Sequence, residues 1–364
     1  MSCYDLNMDI NHIIIYLMIA FVLVGAADRM TGSRLKLGNK FEDGIMAMGT
    51  LMISTGGLLV LAPLIGDIVR PVIVPAFTAI GADPAMFGGM ILGLDIGGAP
   101  LAKQLMAGTD GYILALMTAS MLGDTISFNI PVGMALTGNG HQKEVIKGVL
   151  IGMITIPIGI IVGGIASGLR FSCMLMNILP VAALSLIIII CLWKWEKAIV
   201  RVFMILGKVI LGISIAGVCV GVMKEFTPFT FFENTMPVEE AIVIIGNVAL
   251  ILAGAYVLVE IITRVLHQPL QSIGRRIGVN ETAVGGLLVI LANCIPIFSM
   301  MPEMNHRGRI LTAAFCVSGS FVFGDHLGFI ASYAPEMTAA LVAAKLAGGI
   351  SAVILALLIT RTTG

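Results

Sequence analysis

The 364-residue chain is 58% apolar and only 12% charged, with a mean hydropathy of +1.04. A soluble domain is about a quarter charged, so this chain lacks the polar surface that water requires. Its 21 basic residues are balanced by 21 acidic ones, which gives no excess charge for binding nucleic acid.

Eleven apolar segments follow, most of them about 20 residues or more, enough to cross a bilayer. They define an all-α polytopic membrane protein with the lipid bilayer as its first partner. The first, 10–28, is preceded by Asp5 and Asp9 and followed by Arg29, Arg34, Lys36 and Lys40. That pattern predicts a retained helix with its N-terminus outside, not a signal peptide. Next come 45–66 and 84–107, the latter interrupted by "LDIGGAP" (Leu94–Pro100). Segment 110–136 carries "GDTISF" (Gly123–Phe128). Segments 145–168, 174–193, 198–223 and 240–264 follow. Segment 282–302 is interrupted by "ANCIPIF" (Ala292–Phe298), 308–333 contains "FVFGDHLGF" (Phe321–Phe329), and 336–361 closes the chain.

If all eleven segments cross, the 21 Lys and Arg divide 10 inside to 11 outside, with no bias. If 84–107 and 282–302 are re-entrant hairpins, the division becomes 16 inside to 5 outside, as the positive-inside rule requires. The interrupted segments suit that role, because Gly and Pro break a helix and irregular backbone at membrane depth must line protein or a wet cavity.

The order also repeats. Each half has a hairpin third and a Gly-Asp helix fourth. Gly88-Gly89 matches Gly285-Gly286 at an offset of 197, and Gly-Asp-x-x-x-Phe recurs at an offset of 201. An odd number of crossings separates equivalent helices, so the repeats are expected to be inverted: 1–170 and 197–364, joined by a linking helix at 171–196. Inverted repeats with discontinuous helices are the build of secondary transporters, here of an elevator-like kind.

Asp95, Asp124 and Asp325 lie inside apolar segments, where a charge costs a few kcal/mol or more. Two readings stand. An aspartate can cap backbone amides freed at a helix break, or it can bind a cation or relay a proton. The repeated placement favours the second for Asp124 and Asp325. His326, next to Asp325, is either a packing residue or a group that sets the hydrogen bonding of that carboxylate. Asn129, Asn293, Ser299 and Ser127 can bond ions or hydroxyls, and Phe128, Phe329 and Tyr333 can offer an aromatic face to an ammonium group. The six cysteines are scattered and show no metal spacing, so neither a metal nor another cofactor is expected. No H-E-x-x-H, G-x-S-x-G or Walker sequence points to an enzyme.

"FEDGIMAMGTL" (Phe41–Leu51), "PLIGDIVRPVIVPAFTAIGADPAMF" (Pro63–Phe87), "NCIPIFSMMPEMNHRGRIL" (Asn293–Leu311) and "FVFGDHLGF" together resemble the ethanolamine-utilisation membrane protein family, the EutH-like permeases. The resemblance covers nearly the whole chain. It implies a multi-pass protein of the bacterial inner membrane that moves ethanolamine into the cytoplasm. It assigns no residue roles and leaves open whether the protein is a homo-oligomer. The alternative within transport is a Na⁺- or H⁺-coupled carrier of another small amine or organic solute. Ethanolamine is a small ammonium with one hydroxyl, so Asp325 is expected to be its principal acidic ligand.

Overall fold

The structure, a computed structural model, describes residues 10–137 and 140–360. Asp5, Asp9, Cys3 and Arg361 lie outside the described residues. Within them every element is helical, and eight helices are long and apolar enough to cross a membrane. In chain order the helices are α1 (Ile10–Met30), α2 (Leu37–Ala79), α3 (Ala85–Ile91), α4 (Ala99–Leu105), α5 (Thr109–Leu136), α6 (Gln142–Ala166) and α7 (Phe171–Lys194). They continue with α8 (Glu196–Phe226), α9 (Val238–Ile277), α10 (Glu281–Val289), α11 (Ile295–Met300), α12 (His306–Gly319), α13 (Asp325–Tyr333) and α14 (Thr338–Ile359).

Segments 45–66 and 240–264 grow into helices of 43 and 40 residues, absorbing stretches that read as connectors. Proline does not stop them: α2 runs through Pro63, Pro71 and Pro75, and α9 through Pro269. Interior prolines are tolerated in membrane helices where neighbours satisfy the freed backbone groups.

Both interrupted segments fold back as helical hairpins. In the first, the chain leaves helical geometry between Leu92 and Gly97, where Gly97 has φ +88°. Its arms α3 and α4 lie against each other, and a Cβ on Gly88 would come 2.7 Å from the amide nitrogen of Ala102. The base is tied by Asp83, whose carboxylate accepts from the backbone N–H groups of Ala107 (3.1 Å) and Gly108 (2.9 Å). The second hairpin, α10 and α11, is tied in the same place by different chemistry. Asn280 accepts from the Asn305 N–H (3.2 Å) and donates to the Glu303 carbonyl (2.9 Å). Asp83 and Asn280 are 197 residues apart, the offset of the paired glycines. Each follows a long helix that ends on a left-handed glycine, Gly81 (φ +74°) or Gly278 (φ +72°), a backbone conformation that glycine adopts without the Cβ penalty.

The packing sorts the helices into two groups, each drawn from both halves of the chain. In one, α9 lies along α2 and α1, and α8 crosses α2. In the other, α6, α12 and α14 pack together, with the hairpin α3–α4 on α5. The groups face each other across a cavity of about 580 Å³.

Candidate functional site

Two of the cavity's walls are mostly apolar, broken by Thr50 and Ser54 of α2 and Lys208 of α8. Helix α2 supplies Ala47 and Leu51, and α8 supplies Met204, Ile210 and Leu211. The opposite wall is made from helix breaks, and there the three membrane aspartates come together: Asp95 from the first hairpin's tip, Asp124 from α5 and Asp325 from the start of α13.

Each break has a local cause. In α5, wide π-type turns at Ala119–Gly123 and Thr125–Asn129 flank Asp124. Between α12 and α13 the chain unwinds, with Phe321 in the left-handed region at φ +57°. The unwound strand pairs with the second hairpin's tip through Phe321 N–H to the Ile290 carbonyl (3.0 Å) and Phe323 N–H to the Leu291 carbonyl (2.7 Å). The recurring glycine of Gly-Asp is where each hairpin tip crosses. A Cβ on Gly123 would sit 2.0 Å from the Leu92 carbonyl oxygen, and one on Gly324 would sit 1.9 Å from that of Ala292. Only glycine permits that approach. The aspartate that follows is thereby held beside a hairpin tip in both halves.

The carboxylates are bonded by side chains. Asp124, 1% exposed, accepts from the Asn129 amide (2.8 Å) and the Ser320 hydroxyl (3.1 Å). Asp325 accepts from the Tyr256 hydroxyl of α9 (3.0 Å). His326 is fully buried, with Nε2 at 3.4 Å from Asp95 Oδ1 and 3.8 Å from Asp124 Oδ1. Among the described residues, no backbone N–H reaches any of these three aspartates. Capping is done elsewhere. Asp28 accepts from the N–H groups of Leu35, Leu37 and Gly38, and Asp83 from those of Ala85, Ala107 and Gly108. The geometry therefore separates the capping aspartates from the cavity aspartates.

The remaining sequence-expected residues scatter. Asn129 stands behind the aspartates, and Ser127 lines the cavity while accepting from the Gly93 N–H (3.0 Å), which fastens the first hairpin's tip to α5. Asn293 lines the cavity, and its side-chain oxygen caps the Ile295 N–H (2.8 Å). Phe128 lines the cavity and meets Phe321 edge-on at 5.7 Å. Phe329 and Tyr333 stack on each other at 5.0 Å away from the lining, with Lys103 over the Tyr333 ring at 5.5 Å. Ser299 is on an exposed face of α11 and outside the lining. The partner expected for Asp325 also differs, because the imidazole of His326 turns to Asp95 and Asp124 while Tyr256 serves Asp325.

Three participants were not singled out from the sequence. Tyr256 lies in an unremarkable apolar run. Ser320 sits four residues before Gly324. Lys345, one of the five basic residues that the charge division puts outside, is instead 0% exposed within α14 and donates to the Ser120 carbonyl in α5 (2.5 Å). Its signal was present: a single cation in the apolar stretch "LVAAKLAGG".

Residues 10–359 match the family model described as "Ethanolamine utilisation protein, EutH". The chain is 41% identical to "Probable ethanolamine permease EutH" of Listeria monocytogenes over 347 residues, covering 95% of this chain and 93% of that protein. It is 36% identical to "Uncharacterized protein YxeR" of Bacillus subtilis, covering 95% and 94%. It is 34% identical to "Probable ethanolamine permease EutH" of Escherichia coli, covering 97% and 96%. No solved structure matches. The chain belongs to the EutH ethanolamine utilisation family and is a multi-pass protein of the bacterial inner membrane.

Proposed function

We propose that, as a member of this family, the protein transports ethanolamine in its ammonium form into the cytoplasm, through the cavity between its two helix groups. The observation that carries the reading is the convergence of Asp95, Asp124 and Asp325 on one cavity wall with no backbone donor on any of them. Buried carboxylates are paired or coordinate a cation, and an ammonium supplies the pairing. Asp325 and Asp95 present carboxylate oxygens to the cavity, and Asn293 places an amide within reach of a hydroxyl. Phe128 and Phe321 add aromatic surface that attracts ammonium groups.

Discontinuous helices meeting at a site, in a chain with repeated hairpins, are typical of secondary transporters. The matched hairpin bases at Asp83 and Asn280 support the division into inverted repeats 1–170 and 197–364 about a linking helix. In an elevator-like cycle the first hairpin and α5 would carry Asp95 and Asp124 past α1, α2, α8 and α9, while Asp325 stays with α13 on α9.

Uptake of labelled ethanolamine into proteoliposomes tests the reading. Small primary amines are expected to compete, and uncharged alcohols of the same size are not. Equal inhibition by amines and alcohols would remove the carboxylates from recognition, and absence of uptake would end the transport assignment.

A further inference from the structure

The cavity aspartates differ in what faces them. Asp95 and Asp124 share His326, whose Nε2 lies 3.4 and 3.8 Å from their Oδ1 atoms. Among the described residues, neither imidazole nitrogen has a hydrogen-bonding partner of good geometry, and Asp95 Oδ1 likewise has none. An unprotonated Nε2 would aim its lone pair at two carboxylates, so the arrangement calls for a proton on that nitrogen. Lys345 of α14 is buried beside them, its ammonium on the Ser120 carbonyl one turn of α5 before Asp124. Asp95 and Asp124 thus have an imidazole nitrogen between them and a buried ammonium one helical turn away.

Asp325 has no such match. Tyr256 of α9 donates a neutral hydroxyl to it, and the carboxylates of Asp95 and Asp124 face it from the first hairpin and α5. The thiols of Cys294 and Cys316 bond Asn129. Beyond α13, Glu336 is exposed. Lys208 of α8 lines the same cavity, but it is exposed and pairs with no carboxylate among the described residues. Among the described residues, Asp325 is therefore the one carboxylate of the three with neither a buried ammonium nor the His326 ring set beside it, and an unpaired charge at that depth is costly.

We infer that Asp325 is a proton-exchange site: it holds a proton when the cavity is empty and releases it when an ammonium substrate binds, so that the protein exchanges one proton for each ammonium carried. The inference rests on the transport reading above. The step balances. The O–H bond of the Asp325 carboxylic acid breaks, its proton passes to cavity water, and the carboxylate pairs with the incoming ammonium without any covalent bond to it. On the cytoplasmic side the ammonium leaves and a proton from water returns to the carboxylate. In both loaded forms the cluster carries the same net charge. The membrane potential then does no work on the cycle, because an ammonium enters as a proton leaves. Tyr256 serves both states, since its hydroxyl can donate to the carboxylate or accept from the acid.

Two measurements on the wild-type protein test this. In proteoliposomes, the initial rate of labelled ethanolamine uptake is expected to be unchanged when potassium and valinomycin impose an inside-negative potential. Vesicles without protein give the leak of the free base, which is subtracted. In titration calorimetry of purified protein with ethanolamine, the heat is expected to depend on the buffer's ionisation enthalpy in the sense of proton release on binding. Uptake that rises several-fold with the potential, or binding without proton release, would overturn the exchange while leaving ethanolamine as the substrate. Protein-dependent uptake that is absent at every potential would instead overturn the transport reading on which the exchange depends.

Discussion

Gly123 and Gly324 show why a two-residue pattern recurs across 201 positions. Each lets a hairpin tip pass within contact of its own backbone, and each is followed by the aspartate that reaches the cavity. An added Cβ has backbone, not a flexible side chain, in its way, at 2.0 Å and 1.9 Å respectively. Gly324→Ala and Gly123→Ala are therefore expected to destabilise by the upper end of the overpacking range, about 3 kcal/mol, and to lower the thermal midpoint of the purified protein. Gly285, in α10, has nothing within 4 Å of its would-be Cβ. Gly285→Ala is expected to be neutral or to stabilise by about 0.5–1 kcal/mol, the usual helix gain. Equal effects at all three positions would refute the crossing explanation. The aspartates were legible in the sequence because a charge in an apolar run requires a partner. Their individual partners were not legible, since Tyr256 meets Asp325 from 69 residues away and a tyrosine in an apolar run reads as packing. Ser299 was misleading for a related reason: α11 has six residues, too few for its periodicity to reveal which face is exposed.

At the scale of elements, each hairpin is closed at its base by one Asx side chain after a left-handed glycine. The sequence showed the breaks but not these ties, because an aspartate in "GADP" resembles any helix-capping residue. Asp83 satisfies backbone donors at both ends of the first hairpin, at Ala85 on entry and at Ala107 and Gly108 on exit. Asp83→Ala leaves the exit donors, which water can reach, without their acceptor, a loss of about 0.5–1.5 kcal/mol. Amide hydrogen exchange across 84–107 is expected to quicken while α6 and α14 keep their protection. Unchanged exchange across the hairpin would mean that its packing on α5 alone holds it. The long helices also escaped the sequence reading, since prolines in "VRPVIVP" signal a helix end, whereas α2 continues past them to Ala79.

Across the whole molecule, the charge count and the hairpin geometry meet. A hairpin whose two ends are tied together, as 280 is to 303–305, has both ends on the same side of the protein. That is what the 16-to-5 charge division requires, and moving the buried Lys345 out of the outside set strengthens the bias. Single-cysteine labelling of intact cells is expected to mark a cysteine placed at Thr230 and to spare those at Ser272 and Asn305, all three being exposed in the structure. External labelling at Asn305 would contradict a second hairpin that returns to the cytoplasmic side. The pairing of helices from both halves into each packed group was beyond the sequence, because spatial neighbours such as α2 and α9 lie about 200 residues apart.

The most direct test of the account is the affinity of the purified protein for labelled ethanolamine before and after Asp325→Asn. Losing one partner of a desolvated charge pair costs about 3–5 kcal/mol, so binding is expected to weaken by about two to four orders of magnitude, and uptake by expression-matched vesicles is expected to fall with it. Asp124→Asn is expected to cost less binding, because Asp124 is held within the protein by Asn129, Ser320 and His326 rather than left for the substrate. Binding by Asp325→Asn within about twofold of wild type, in protein that is folded and correctly inserted, would contradict the assignment of Asp325 as the ligand of the ammonium.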